Sequence, residues 1–526
     1  MEVKGEMLIG SASVRGGAGE VRAFDPARNI EIDPPFFGGG PAEVDRACQL
    51  AAQAFDSYRN LAPELRSNFM HRAADNIVAL GDVLFERLMA ETGLPRERAE
   101  GEVGRAVAQL RMFADLVRDG RWRCATLDSS DPARLPRPKP DLRMQKMPIG
   151  PVAVFGSSNF PMLYSVAGGD TASALAAGCP VVVKAHGSHM GTSELVGRAL
   201  QKATIDCGLH EGVFSLLIGD GNALGEALVD HPAIKAVGFT GSEGGGMALV
   251  RRGQQRPEPI PVFAEMTSVN PIFILPNALA TRAEAIATGF VEQMTIGVGQ
   301  MCLKPGIIVA VEGPSLDQFY SVLRRAISDK PALTMLSPNI FKNYMRRVDE
   351  QRSTEAVSVA ANGASPTHAL DGQAFVFECS AKDVQASMNI ASEMFGPAAL
   401  VIRCADKEEM LDFAKRMNGQ LTATLQIDPE DMDAAHHLLT ALELKTNRIL
   451  VNAFSNIVDI THATVHGGPY PAASDSRFTS VGATAIDRFL RPICYQNLPQ
   501  ELLPPALQDG NPLSLWRLRD GQLMQA

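Results

Sequence analysis

The segment Gly297-Val-Gly-Gln-Met-Cys302-Leu-Lys-Pro305-Gly sets one cysteine among glycines, with a proline close behind. Glycine lets the backbone approach a ligand and adopt conformations barred to other residues. A thiolate is the strongest side-chain nucleophile near neutral pH, so Cys302 is a candidate nucleophile. Taken alone, a free cysteine is more often a small buried residue. In Phe263-Ala-Glu265-Met a carboxylate follows an apolar run, where it can serve as a base. A solvated loop glutamate is the plainer reading of that residue alone. In Val154-Phe-Gly-Ser-Ser-Asn159-Phe-Pro161 an amide stands after another apolar run. Its NH₂ can donate to a developing oxyanion, or the residue can simply form a turn. The neighbouring Gly-Ser-Ser is not the Gly-x-Ser-x-Gly elbow of a serine hydrolase.

Three further segments carry weaker signals. Gly238-Phe-Thr-Gly241-Ser242-Glu-Gly-Gly-Gly246 lies between a strand and a helix. Glycine-rich turns at helix N-termini hold phosphates through free N–H groups. The segment matches neither G-x-G-x-x-G nor a Walker A loop. Glu393-Met-Phe395-Gly-Pro397 puts a carboxylate before a strand. His462 and His466 have H-x3-H spacing, but His466-Gly-Gly-Pro-Tyr-Pro reads as a turn, with no third ligand nearby in the chain. No metal is expected.

The elements that must position these residues follow from hydrophobic periodicity. Val44, Ala47, Cys48, Ala51 and Phe55 recur at helical spacing. A second helical pattern runs over 66–92 and stops at Gly93-Leu-Pro95, and a third covers 97–117. The stretch 132–139 is too rich in proline for a helix or a central strand and reads as an extended arm. From Pro151 short apolar runs alternate with helical patterns: strands at 152–155, 181–184, 213–217, 234–239 and 261–264, helices at 165–177, 193–205, 223–229 and 246–252. This is the signature of a parallel, doubly wound sheet, which binds ligands beyond the carboxyl ends of its strands. A second α/β region has strand candidates at 307–310, 374–377, 400–402, 422–427 and 448–451.

The chain has 526 residues, more than one core normally serves, and carries a formal net charge of −10. An acidic chain has no general attraction for phosphate backbones, so nucleic acid is an unexpected partner. No apolar run reaches membrane-spanning length and no signal-peptide pattern opens the chain, so a cytoplasmic protein without membrane contact is expected. The eight cysteines are scattered without a C-x-x-C pair, which speaks against a zinc cluster or a disulfide framework.

Together and in this order, the segments resemble the aldehyde dehydrogenase superfamily: Asn-Phe-Pro, a strand ending in Lys184, Phe-Thr-Gly-Ser, Glu265 after a strand, Gly-Gln-Met-Cys302, and Glu393-Met-Phe-Gly-Pro. Within it, Val166-Ala-Gly-Gly-Asp-Thr-Ala through Lys184-Ala-His186, Ser268-Val-Asn-Pro271, and His466-Gly-Gly-Pro-Tyr-Pro-Ala-Ala-Ser-Asp-Ser-Arg477 are similar to the α-ketoglutaric semialdehyde and NADP-dependent fatty aldehyde dehydrogenases. The resemblance implies an α/β fold: a Rossmann-like cofactor domain (1–131 and 148–265), a catalytic domain (266–466), and an oligomerisation arm and tail (132–147 and 487–526). It implies a homodimer or homotetramer. Cys302 would attack the aldehyde, Asn159 and the Cys302 N–H would hold the oxyanion, and Glu265 would activate water against the thioester. Lys184 and Glu393 would hold the cofactor riboses, with His186, Phe395 and the Gly241-Ser242 turn also in the cofactor site.

The sequence departs from the common pattern at three places. Ser158 stands where tryptophan is usual before the asparagine, and Leu303 where threonine often follows the nucleophile. Gly187 replaces a glutamate that would accept the ribose hydroxyls and repel a 2′-phosphate, so NADP is favoured over NAD. The leading substrate is α-ketoglutaric semialdehyde, with medium- or long-chain aldehydes second. The motifs hold no arginine suited to a distal carboxylate. A CoA-acylating enzyme and an inactive family member acting as a binding protein are the alternatives; retention of Glu265, and of Asn159 with Cys302, argues against each in turn.

Overall fold

The computed structural model describes residues 2–219 and 221–525. Two seven-stranded sheets and one five-stranded sheet organise the chain. In the first sheet the strands run in the order Val262–Glu265, Ala236–Thr240, Val152–Phe155, Val181–Lys184, Phe214–Leu217, all parallel. Met7–Ile9 and Ala12–Val14 extend it as an antiparallel edge. Every residue of Val152–Phe155 and Phe214–Leu217 is buried, as befits parallel strands covered by helices on both faces. Strand order reverses at Val152–Phe155, between Ala236–Thr240 on one side and Val181–Lys184 on the other, and a crevice opens at such a point.

In the second sheet the order is Ser358–Asn362, Phe375–Ser380, Ala398–Cys404, Ile307–Val311, Ile272–Ile274, Ala423–Gln426, Ile449–Val451. Only Ser358–Asn362 runs antiparallel. Ile307 and Val309 join the apolar cluster on one face, Ile308 and Ala310 that on the other. The pleat thus feeds two cores at once. The third sheet orders Leu490–Gln496, Leu142–Pro148, Thr126–Asp128, Arg517–Arg519 and Gln522–Met524. The proline-rich stretch 132–139 is a connection within this sheet, closed by the bridge between Asp131 and Lys139.

The predicted alternation after Pro151 is present, with ends moved by a few residues. The helix expected over 165–177 begins at Gly169. All nine of its residues are buried. Their small side chains let it pack against helix Arg96–Asp119 on one side and Ala483–Phe489 on another. The single helix expected over 66–92 is two, Pro63–Val78 and Asp82–Thr92, because Gly81 between them has φ 55°. The helical reading of the first third missed the strands Glu20–Asp25 and Ile30–Phe37, whose prolines and charges hide the strand period. Among the described residues no helix is long and apolar enough to cross a membrane.

One buried ion pair ties the small-residue helix to the segment leading into the third sheet. Arg488 Nη1 donates to Asp170 Oδ1 at 2.6 Å and its Nη2 to Ser173 Oγ at 3.1 Å. Arg488 is 4% and Asp170 8% exposed. Burial raises the Asp170 pKa, and Arg488 opposes the rise. Arg488→Met leaves that carboxylate buried and unpaired, and should lower stability by about 3–5 kcal/mol. The raised folded pKa means the folded state holds the Asp170 proton more tightly than the unfolded chain. The deficit should therefore grow as pH rises above the ordinary aspartate range and shrink in acid. Denaturant melts across pH check both, and Asp170→Asn in the same chain should recover part of the loss.

Candidate active site

The carboxyl ends of the first sheet face the amino ends of the second. Val152–Phe155 leads into Asn159, Val181–Lys184 ends on Lys184, Ala236–Thr240 runs into Gly241 and Ser242, and Val262–Glu265 ends on Glu265. Phe155 is level with both Lys184 and Phe239, and Thr240 with Glu265, so these ends form one rim. On the opposite side, Cys302 precedes strand Ile307–Val311, and Glu393 and Phe395 precede Ala398–Cys404. Residues 266–271 cross from one rim to the other.

Cys302, half-buried, lies with Sγ 3.6 Å from His466 Nε2. His466 Nδ1 is 2.7 Å from Glu265 Oε2. Ser480 Oγ donates to the same carboxylate oxygen. His466 and Glu265 are 2% and 4% exposed. Burial works against a charged imidazole, but the charges of Glu265 and Cys302 and the hydrogen bonds to both outweigh it, raising the His466 pKa to about 10. The other oxygen, Glu265 Oε1, is buried and has no partner among the described residues.

The sequence reading of His466 as a turn residue far from any carboxylate is therefore corrected. The structure brings a thiol and a carboxylate to it, while His462 stays exposed in solvent. Contacts across 164 and 201 residues carry no local sequence signal. The close-set Gly467-Gly468 after it was the available hint: a side chain at Gly468 would meet the Gln420 carbonyl at 2.1 Å, so the backbone there is packed tightly against the site's floor.

Asn159 Nδ2 donates to the Gln300 carbonyl at 3.1 Å, which places the amide over the nucleophile loop with one N–H still to give. The Cys302 N–H has no partner among the described residues, and is the second free donor there. The loop itself is wound left-handed through Gly297, Val298 and Gly299, with φ of 58°, 57° and 64°. At Gly299 a side chain is excluded twice over, since a Cβ would also stand 2.3 Å from the Gly396 carbonyl. That contact joins the nucleophile loop to the Glu393–Pro397 turn. Buried Lys304 reinforces it by donating to the Met394 carbonyl at 3.0 Å and to that of Ala398. Thr267 Oγ1 donates to Glu393 Oε2 at 2.6 Å, and Phe395 is half-buried in the same turn.

On the first rim, Ser242 caps helix Glu243–Gln255, its Oγ accepting from the Gly245 N–H at 3.3 Å. Gly187 and Gly244 face open space. His186 and His189 add no positive charge here. Burial, His189 and Lys184 push the His186 pKa down to about 3. His189 is fully buried, with its ring nitrogens committed to the Ser157 carbonyl at 2.8 Å and Ser193 Oγ at 3.2 Å. His186 Nδ1 accepts from the Ser188 N–H at 3.1 Å, which leaves its proton on Nε2. Lys184 is the cation of this corner.

The sequence profile of the aldehyde dehydrogenase family matches residues 16–470. The chain belongs to the aldehyde dehydrogenase family. It is 53% identical over 525 residues to α-ketoglutaric semialdehyde dehydrogenase 2 of Azospirillum brasilense, covering 99% of this chain and 100% of that one. It is 45% identical to α-ketoglutaric semialdehyde dehydrogenase of Acinetobacter baylyi, over 92% of each chain. The fold is also that of betaine aldehyde dehydrogenase from Staphylococcus aureus, a structure in complex with NAD⁺, with TM-score 0.81, 19% identity, and coverage of 94% and 97%. This aldehyde dehydrogenase is thus an oxidoreductase acting on aldehydes, and the expected fold and family both hold.

His466→Gln in this aldehyde dehydrogenase keeps a hydrogen-bonding side chain but removes the titrating ring. Acid–base groups at this position typically contribute about 10²–10⁴ in rate. The rate of Cys302 alkylation by iodoacetamide at pH 7, and the rate of aldehyde oxidation, should both fall by a factor in that range. Alkylation at the wild-type rate would detach His466 from the thiol.

Proposed function

We propose that this aldehyde dehydrogenase oxidises α-ketoglutaric semialdehyde to 2-oxoglutarate, with Cys302 as nucleophile and a nicotinamide dinucleotide as co-substrate. The observation that carries the chemistry is the chain Glu265–His466–Cys302, a carboxylate, an imidazole and a sulfur in hydrogen-bonding sequence. The substrate rests on the near full-length likeness to two relatives that bear that name.

The residues present fit a dinucleotide. Gly187 and Gly244 leave open space at the rim, and the Ser242-capped helix presents N–H groups to it. Lys184 and Glu393 would hold the two riboses, Gly241 and Ser242 the phosphate region, with His186 and Phe395 beside them. When bound, the dinucleotide supplies the hydride acceptor.

The chain's own residues do the rest. The Cys302 sulfur, 3.6 Å from His466 Nε2, attacks the aldehyde carbon as its thiolate. The Asn159 amide and the Cys302 N–H receive the oxyanion. Oxidation leaves a thioester on Cys302. Glu265 Oε1, buried and without a hydrogen bond, then takes the proton of the attacking water while Oε2 stays with His466 and Ser480. Collapse of the tetrahedral adduct releases the acid and returns the sulfur to His466.

The same reading divides the labour among the sheets: the first binds the dinucleotide, the second carries the nucleophile, and the third joins copies of the chain into a dimer or tetramer. All eight cysteines are free, which supports a reducing, cytoplasmic setting.

Comparing kcat/KM for α-ketoglutaric semialdehyde and hexanal tests the substrate. The semialdehyde should lead by at least about tenfold, or ~1.4 kcal/mol in transition-state binding. A tenfold lead for hexanal would replace this reading with a fatty aldehyde dehydrogenase. Cys302→Ala should abolish oxidation of either.

NADP is the favoured dinucleotide, since no carboxylate stands at position 187 and Lys184 lies close by in sequence. Gly187→Glu has open space at its Cβ and should repel a 2′-phosphate, moving the NAD to NADP ratio of kcat/KM toward NAD by about tenfold or more. A wild-type enzyme already strongly selective for NAD would contradict the assignment.

A further inference from the structure

Helix Arg96–Asp119 sets Arg98, Glu102, Arg105 and Gln109 on one face, since steps of four, three and four return to the same side of a helix. Beyond that face lies the apolar cluster of Phe160, Tyr164, Met301, Leu303 and Val458, against which Cys302 packs. The Arg98 guanidinium lies 4.6 Å over the Phe160 ring, and its Nη1 is 3.9 Å from the Met301 sulfur. Its Nε donates to Glu102 Oε1 at 3.0 Å. Glu102 also accepts from the Met162 N–H at 3.3 Å.

Arg105 differs from Arg98. It is half-buried and its Nη2 donates to the Val458 carbonyl at 2.8 Å, and among the described residues it closes no ion pair. The charges of both Arg105 and Cys302 act on the buried Tyr164 phenol, whose ring lies 5.2 Å from that of Phe160 and 5.9 Å from that of His466. Tyr164 is therefore within electrostatic reach of both the arginine and the reacting sulfur. Two guanidinium groups against one carboxylate leave a net positive charge on this wall. It is remote in the chain from Lys184 and Glu393 and has no part in the acid–base steps above. Another nearby cation, Arg448, donates to the Ser455 and Ile457 carbonyls and has the opposite charge of Asp459 stabilising it.

We propose that Arg105 is a specificity-determining residue that binds the distal carboxylate of the aldehyde substrate, with Arg98 completing the cationic wall. The proposal rests on the semialdehyde reading above. In that substrate the carboxylate lies four carbon–carbon bonds from the aldehyde carbon, and the planar guanidinium fork matches a carboxylate with two parallel donors. The arginine missing from the motifs is thus supplied by a helix that precedes all of them, some two hundred residues before Cys302.

The test is steady-state kinetics of the full-length wild type, Arg105→Gln and Arg105→Lys with α-ketoglutaric semialdehyde and with pentanal, which has the same chain length and no carboxylate. Binding of the dinucleotide to each variant reports an intact fold. A lost hydrogen bond to a charged group predicts that Arg105→Gln lowers the semialdehyde-to-pentanal ratio of kcat/KM by about ten- to a hundredfold, mainly through KM for the semialdehyde. Arg105→Lys keeps the charge without the fork and should recover part of the ratio. A wild type with no preference for the semialdehyde overturns the substrate reading and this proposal with it. A clear wild-type preference that survives undiminished in Arg105→Gln overturns the Arg105 assignment alone. So does an equal loss with both substrates, which would mean that Arg105 only holds the Val458 segment.

Discussion

The site depends on a single buried amide. Asn270, 1% exposed and held at φ 46°, uses all four of its hydrogen-bonding positions. Its Nδ2 donates to the Cys302 carbonyl at 2.8 Å and the Lys304 carbonyl at 2.9 Å; its Oδ1 accepts from Ser268 Oγ at 2.8 Å and Thr422 Oγ1 at 3.0 Å. A buried amide costs free energy unless each of these is met, and here each is. The geometry of the nucleophile is thereby written into the crossing between the sheets. Residues 266–271 leave Glu265 and arrive at Ile272, and on the way they grip the loop that carries Cys302. Base and nucleophile cannot drift apart without breaking this network.

The relay is expensive in the same sense. Glu265 and His466 are both nearly sealed from water, and charges so placed are tolerated only when paired and hydrogen-bonded. Ser480 on carboxylate oxygen Oε2, the His466 Nδ1–Glu265 Oε2 pair and Cys302 on the far ring nitrogen meet most of that requirement, and Glu265 Oε1 is left unbonded for water. A group built to hold charge out of water is suited to move a proton, because little solvent must rearrange when it does.

The sequence was most informative where function is local. Parallel strands read as short apolar runs, and the residues that follow them, Asn159, Lys184, Gly241 and Glu265, fall where a doubly wound sheet presents its ligand edge. It was least informative where function is made by distant contact. His466 sits in a glycine–proline turn that looks like punctuation, and its partners are chosen by the closing of two sheets. Arg105 lies on an amphipathic helix whose charged residues read as a solvated face; only packing reveals that part of this face looks inward. Ser480 and Asn270 are ordinary polar residues until burial commits them. At His186 and His189 residue type alone would suggest charge, and burial removes it.

The two halves of the site are coupled through close backbone contact and through one lysine side chain. Gly299 lies against the Gly396 carbonyl, and Lys304 ties the nucleophile loop to Met394 and Ala398, so the turn bearing Glu393 and the loop bearing Cys302 are packed directly on one another. A left-handed run that includes a valine stores strain that the surrounding contacts must hold. The consequence is that cofactor geometry and nucleophile geometry are not independent variables in this fold. A substitution that adds a side chain at Gly396, where a Cβ would stand 2.3 Å from Tyr344, or that shortens Lys304 acts on both.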